Sequence, residues 1–251
     1  MPGGLRDASR RLLRGRAVDA HDWRPLLLNT SQVRQAGAEF VGTGLLVTVV
    51  VGSGIAAQRL SPSDVGLELL ENAIATALGL AVLILVLQPV SGAHLNPVVT
   101  IAERVLGTGL RVGTITAFIA VQFAGAIGGA VLANAMFGVP TTMSGKDRLD
   151  LGRLLGELVA TAVLILLIFA LARTGRAALV GPAVGAYIGA AYWFTSSTSF
   201  ANPAVTVGRI FSDTFAGIAP TSALGFLVAQ VLGAAVGVVL VHFFFPRKAH
   251  A

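Results

Sequence analysis

The stretch Ser91-Gly92-Ala93-His94-Leu95-Asn96-Pro97-Val98-Val99-Thr100 decides how the rest of the chain is read. Proline fits the first turn of a helix, where its missing N–H has no partner to lose. Asparagine immediately before it is a favourable N-cap. Residues 92–105 therefore read as a loop that becomes a short helix at Pro97. The segment is mildly apolar and too short to cross a bilayer, which takes roughly 20 apolar residues. A segment of this kind can enter the membrane and leave on the same side.

A second copy lies downstream. Asn202-Pro203-Ala204-Val205-Thr206-Val207, within residues 199–212, repeats Asn96-Pro97-Val98-Val99-Thr100-Ile101. Well before each copy an apolar stretch opens on an acid, as Ala38-Glu39-Phe40-Val41-Gly42-Thr43 and as Gly156-Glu157-Leu158-Val159-Ala160-Thr161. Six stretches are long enough to span, at about 35–57, 69–90, 112–136, 154–172, 178–198 and 221–245. Each half then holds three spans, with its Asn-Pro segment between the second and third. Three is odd, so the second copy starts from the opposite face, which makes an inverted repeat. The predicted fold is an all-α membrane protein of six transmembrane helices plus two re-entrant half-helices in an inverted 3+3 repeat. A basic arm (1–34) precedes the channel region (35–245), whose repeats run over about 35–139 and 153–245, and a short tail (246–251) follows.

Composition agrees. The chain of 251 residues is 55% hydrophobic and 12% charged, with a mean hydropathy of +0.80. That charged fraction is about half the soluble norm. The net charge of +6 invites a nucleic-acid reading, but the excess is concentrated in the arm. There, seven arginines (Arg6, Arg10, Arg11, Arg14, Arg16, Arg24, Arg34) outnumber Asp7, Asp19 and Asp22. Beside apolar spans such an arm reads as an anchor against anionic headgroups, so no nucleic-acid partner is expected. Its apolar runs are too short for a signal peptide. With both termini inside, the inner segments carry thirteen Lys and Arg, the arm joined by Arg104, Arg111, Arg173, Arg176, Arg247 and Lys248. The outer ones carry five: Arg59, Lys146, Arg148, Arg153 and Arg209. Cytoplasmic termini are therefore expected. With no cysteine there is no disulfide or thiol metal site. No metal cluster, nucleophile triad or phosphate loop occurs, so neither a cofactor nor an enzymatic activity is expected.

Two half-helices entering from opposite faces would bring their N-termini together near mid-membrane. Each N-terminus carries roughly half a positive charge, which disfavours cations. The carboxamides of Asn96 and Asn202 can donate to a passing solute oxygen. Backbone carbonyls of Gly92, Ala93 and His94, and of Ser199, Phe200 and Ala201, can accept from its hydroxyls. Irregular backbone at that depth is tolerated where protein buries it or where it lines a wet cavity.

These paired motifs resemble the two signatures of the aquaporin (major intrinsic protein) family, over about residues 35–245. The resemblance implies a homotetramer with one pore per subunit in a bacterial inner membrane, passing small neutral solutes and water. It implies that Glu39 and Glu157 accept hydrogen bonds from the re-entrant loops; a proton relay is the other reading of these acids. The family's four-residue filter, carried over by ungapped spacing, falls on Thr76, Ala190, Ser199 and Val205. Water filters resemble an aromatic, a histidine, a small residue and an arginine, and glycerol filters keep the arginine. The expected ring here is wide and free of arginine, with Arg209 read as structural or interfacial; a substitute for the missing arginine is the other reading. Valine in the arginine position resembles a branch of bacterial aquaglyceroporins associated with arsenic resistance. That implies uncharged arsenicals, arsenite and methylated species, as cargo beside glycerol-like solutes. A general glycerol, urea or ammonia facilitator and a poorly conducting scaffold are the alternatives.

Overall fold

The computed structural model of the chain describes residues 30–107 and 109–247. Lys248 and the arm's arginines other than Arg34 lie outside the described residues.

The regular elements among the described residues are all helical, with α1 at Thr30–Leu60, α2 at Val65–Ser91, α3 at Pro97–Leu106 and α4 at Val112–Phe137. The second half holds α5 at Leu151–Arg173, α6 at Val180–Phe194, α7 at Pro203–Arg209 and α8 at Pro220–Phe244. Six are long and apolar enough to cross a membrane, α6 together with the 3-10 turn that leads into it, as Ala177–Phe194. The two that are not, α3 and α7, begin at the prolines of the Asn-Pro pairs. Local chemistry sets the helix ends. The Asp64 and Asp150 side chains accept from the backbone N–H of Leu67 and Arg153 and start α2 and α5. Gly92 and Gly138 stop α2 and α4 in the left-handed region. The fifth span stops at Phe194 rather than near 198. Thr198 and Ser199 take φ of 63° and 49°, which no right-handed helix accommodates.

Apolar side chains face outward as well as inward. Leu78, Val82 and Val86 on α2, and Leu224, Val228 and Val239 on α8, are exposed. Helices apolar all round suit a lipid solvent. The halves repeat their packing: α1 lies along α4, as α5 lies along α8. A methyl group on Gly125 would meet the carbonyl oxygen of Phe40, and one on Gly233 that of Leu158. Phe40 and Leu158 directly follow Glu39 and Glu157, so the same close backbone crossing occurs twice.

Hydrogen bonds fix which ends share a face. Arg173 Nη2 donates to the Leu106 carbonyl at 3.1 Å and Gln88 Nε2 to that of Ala177 at 3.2 Å. The C-terminal ends of α2, α3 and α5 therefore lie together with the start of α6. At the other face, Arg59 Nη2 donates to the Phe137 carbonyl at 2.6 Å, Phe215 N to Gln58 Oε1 at 3.1 Å, and Ser144 N to the Ile210 carbonyl at 2.7 Å. The C-terminal ends of α1, α4 and α7 lie there. The half-helices α3 and α7 enter from opposite faces.

Candidate functional site: two half-helices and one cavity

Each half-helix is capped by its own asparagine. Asn96 Oδ1 accepts from Val98 N at 3.1 Å, and Asn202 Oδ1 from Ala204 N at 2.9 Å and Val205 N at 3.3 Å. With Oδ1 so used, each carboxamide is oriented and its two N–H groups turn away from its own helix. One crosses to the opposite loop: Asn96 Nδ2 donates to the Ala201 carbonyl at 2.8 Å and Asn202 Nδ2 to the Leu95 carbonyl at 2.7 Å.

The loops before the asparagines are alike and strained. Ala93 and Leu95 have φ of 49° and 51°; Ser199 and Ala201 have 49° and 47°. Left-handed backbone costs roughly 1–2 kcal/mol at a residue with a Cβ. Two buried carboxylates hold it in place. Glu39 accepts from His94 N at 3.0 Å, Leu95 N at 2.7 Å and Ser91 Oγ at 2.6 Å. Glu157 accepts from Phe200 N and Ala201 N, each at 2.8 Å. The His94 ring bonds Thr100 Oγ1 at 3.1 Å and meets Phe118 edge-on, which fixes the first loop further.

Two glutamines complete this frame, and the sequence reading missed both. Gln122 Nε2 donates to Glu39 at 2.8 Å and Thr100 Oγ1 at 3.0 Å; Gln230 Nε2 donates to Glu157 at 2.6 Å and Thr206 Oγ1 at 2.8 Å. The signal was present as Gln122-Phe123-Ala124-Gly125-Ala126 against Gln230-Val231-Leu232-Gly233-Ala234, in the last span of each half.

A cavity of about 210 Å³ runs along α2 between Thr76 and Gln88. Apolar side chains form one wall, among them Val50, Leu80, Ile84, Val184 and Ile188. The loops form the other through Gly92, Ala93, His94, Leu95, Ser199 and Phe200, with Asn202. Of the expected filter residues, Thr76, Ser199 and Val205 line it. Asn96 and Ala201 sit beside it, joined by their hydrogen bond, so Ala201 is a tie between loops rather than a lining residue. Pro97, Val98, Pro203 and Ala204 are buried as first turns behind it.

Two expectations are corrected. Ala190 is exposed on the outer face of α6 and does not reach the cavity. Val184, Ile188 and Tyr192 do, at the four-residue spacing of one helix face, and Ala190 falls between them on the opposite side. Ungapped counting back from Asn202 crossed the irregular turn 195–201, where helical spacing does not hold. Tyr192 takes the place expected of Ala190; its hydroxyl lies 3.1 Å from Thr76 Oγ1. The second correction is Arg209. It lines the same cavity at 2% exposure, with its guanidinium 3.3 Å from the centroid of the Phe200 ring. The cavity therefore does carry an arginine, and Arg209 is not interfacial.

Cations gather around this mouth in the α4–α5 loop. Arg148 donates to the carbonyls of Gly217 and Phe215 at 2.8 and 3.0 Å, and its guanidinium is 5.4 Å from the Phe200 centroid. Lys146 Nζ donates to the Phe215 carbonyl at 3.0 Å. Burial, then the charges of Arg148 and Arg209, push the Lys146 ammonium down to about 8. Burial, then Arg153, lowers Arg148 to about 10.

Comparison with known proteins agrees with this arrangement. Residues 27–200 match the family described as Major intrinsic protein. The chain is 48% identical over 202 residues to Aquaglyceroporin AqpS of Rhizobium meliloti (strain 1021), covering 80% of this chain and 85% of that protein. It is 30% identical over 226 residues to the probable aquaporin NIP7-1 of Arabidopsis thaliana, covering 85% and 78%. The X-ray structure of the aquaglyceroporin from Plasmodium falciparum shares the fold, with a TM-score of 0.64 at 22% identity over 85% of this chain and 95% of that one. The chain belongs to the major intrinsic protein, or aquaporin, family: it is a multi-pass membrane channel and not an enzyme.

Proposed function

We propose that this channel passively passes small uncharged solutes, namely glycerol-like polyols, water and uncharged arsenicals such as arsenite and its methylated relatives. The two-sided lining of the cavity carries the reading: methyl groups on one wall, loop backbone and Asn202 on the other. A solute with a carbon face and a hydroxyl face can shed water there and regain partners on both sides. A bare cation cannot in the outer part of the cavity, where no carboxylate among the described residues lines it and desolvating a charge without an opposing one is prohibitive. Val205 supports the wider cargo, since valine takes up less room than a long charged side chain and presents only methyl groups. Arsenite at neutral pH is a neutral triol, and its methylated forms are bulkier and partly apolar. The name of the Rhizobium relative, an aquaglyceroporin, supports the polyol part.

The same reading places the protein in a bacterial inner membrane with both termini cytoplasmic, supported by the bacterial relative and by the arginines of the arm. It takes the assembly to be a homotetramer with one pore per subunit, as the family resemblance implies. Uptake of arsenite, a neutral methylated arsenical, glycerol and water by proteoliposomes, measured side by side, tests the cargo. Fluxes of all four above those of empty liposomes support it. Glycerol passage without arsenical passage would leave the general polyol, urea and ammonia facilitator as the better reading. Fluxes equal to empty liposomes would leave the scaffold.

A further inference from the structure

Arg209 is the charged side chain that lines the outer end of the cavity; the other charged lining residue, Glu103, lies on α3 toward the opposite face. Arg209 follows Val205 by four residues on α7, so both side chains leave the same helix face, about 6 Å apart along the axis. Its Nε donates to the Ala216 carbonyl and its plane stacks on Phe200. Its two Nη groups have no protein partner among the described residues, and they are not sealed off from the cavity. No carboxylate among the described residues pairs with it; the ion pair that does occur joins Arg153 and Asp150. Glu157 is occupied by backbone N–H groups and Gln230. Asp147 and Asp213 near the mouth are bonded to Ser222 and to Gly145 N. A buried guanidinium left with open donors is costly to the fold unless something that enters the cavity uses it.

We infer that Arg209 is a specificity-determining residue of this pore: it turns back cations at the outer mouth and offers its Nη donors to the oxygens of hydroxylated neutral solutes. Val205, one turn deeper, then sets width alone. Charge and size are screened at two successive levels, so the pore stays wide without admitting cations. This rests on the reading of the protein as a solute channel. Arg148 and Lys146 reinforce the field from behind, while their donors are taken by the carbonyls of residues 215 and 217.

The test uses proteoliposomes of the full chain carrying wild type, Arg209→Gln, Arg209→Lys, or Arg209→Gln with Val205→Arg, with sodium and glycerol fluxes both recorded. Arg209→Gln is expected to raise sodium flux by about tenfold or more, the scale on which a focused field changes local ion concentration, while glycerol still passes. Arg209→Lys keeps the charge and stays sodium-tight. The double variant regains tightness but slows glycerol. A sodium-tight, glycerol-conducting Arg209→Gln overturns the inference. If Arg209→Gln does not conduct at all, Arg209→Lys decides: conducting and tight supports it, leaky or closed overturns it. A wild type no faster for glycerol than empty liposomes would remove the channel reading itself, and this inference with it.

Discussion

Asn96 and Asn202 each donate to the backbone carbonyl that directly precedes the other, at Ala201 and Leu95, over 2.8 and 2.7 Å. Neither loop can shift without breaking the bond that orients the opposite carboxamide. The centre of the pore is thus one reciprocal unit built from two separate halves of the chain. Replacing either asparagine by aspartate removes the donor and sets a negative charge against a carbonyl. Asn96→Asp and Asn202→Asp should each weaken cation exclusion, read as sodium flux into proteoliposomes. Unchanged flux in both would count against the role given to these carboxamides.

The carboxylates behind the loops should behave as a matched pair. Glu39→Gln or Glu157→Gln turns an acceptor into an N–H that faces the donors of Leu95 or Ala201 and of a glutamine. Leaving such buried groups unsatisfied costs about 1–3 kcal/mol each. Both variants should lower the apparent Tm in detergent by similar amounts, with Gln122→Ala and Gln230→Ala following in parallel. A large effect in one half and none in the other would contradict the repeat-based account of the frame.

The asparagine caps, the prolines after them and the paired acids were legible in the sequence because each acts over a few residues and each appears twice. Gln122 and Gln230 were just as legible through the repeat, although nothing local marks an intramembrane glutamine as a loop support. Tyr192 and Arg209 were not legible. Whether position 190 or 192 faces the cavity depends on how the chain leaves α6 through the left-handed turn at Thr198 and Ser199. Arg209 is separated from its ring partner Phe200 by a loop and a whole half-helix, and the stacking shows only once α7 is folded back.

Val205→Arg should slow glycerol and bulkier solutes by about tenfold or more, a factor that a modest added barrier supplies, and slow water less. Swelling and shrinking rates under glycerol and sucrose gradients measure this. Equal loss for every solute would point to misfolding instead.

Stability should depend on pH through Lys146. Its folded value of about 8 lies below its ordinary 10.5, because burial and then Arg148 and Arg209 disfavour the ammonium. The folded protein therefore binds fewer protons than the unfolded chain between these values, and stability rises as pH goes from about 8 to about 10.5. Below about 8 the penalty is present in full. The apparent Tm should climb over that window in wild type and climb less in Lys146→Gln; identical profiles would show that the ammonium is not penalised.

The claim that solute passes through the cavity beside α7 has a direct test, because the chain contains no cysteine. A single cysteine can be placed by Val205→Cys or, as the control, by Ala190→Cys, and modified with a small thiol reagent in proteoliposomes. Glycerol flux through the modified Val205→Cys channel should fall to the level of empty liposomes, while modified Ala190→Cys keeps its flux. A fully modified Val205→Cys channel that conducts glycerol at its unmodified rate would contradict the account.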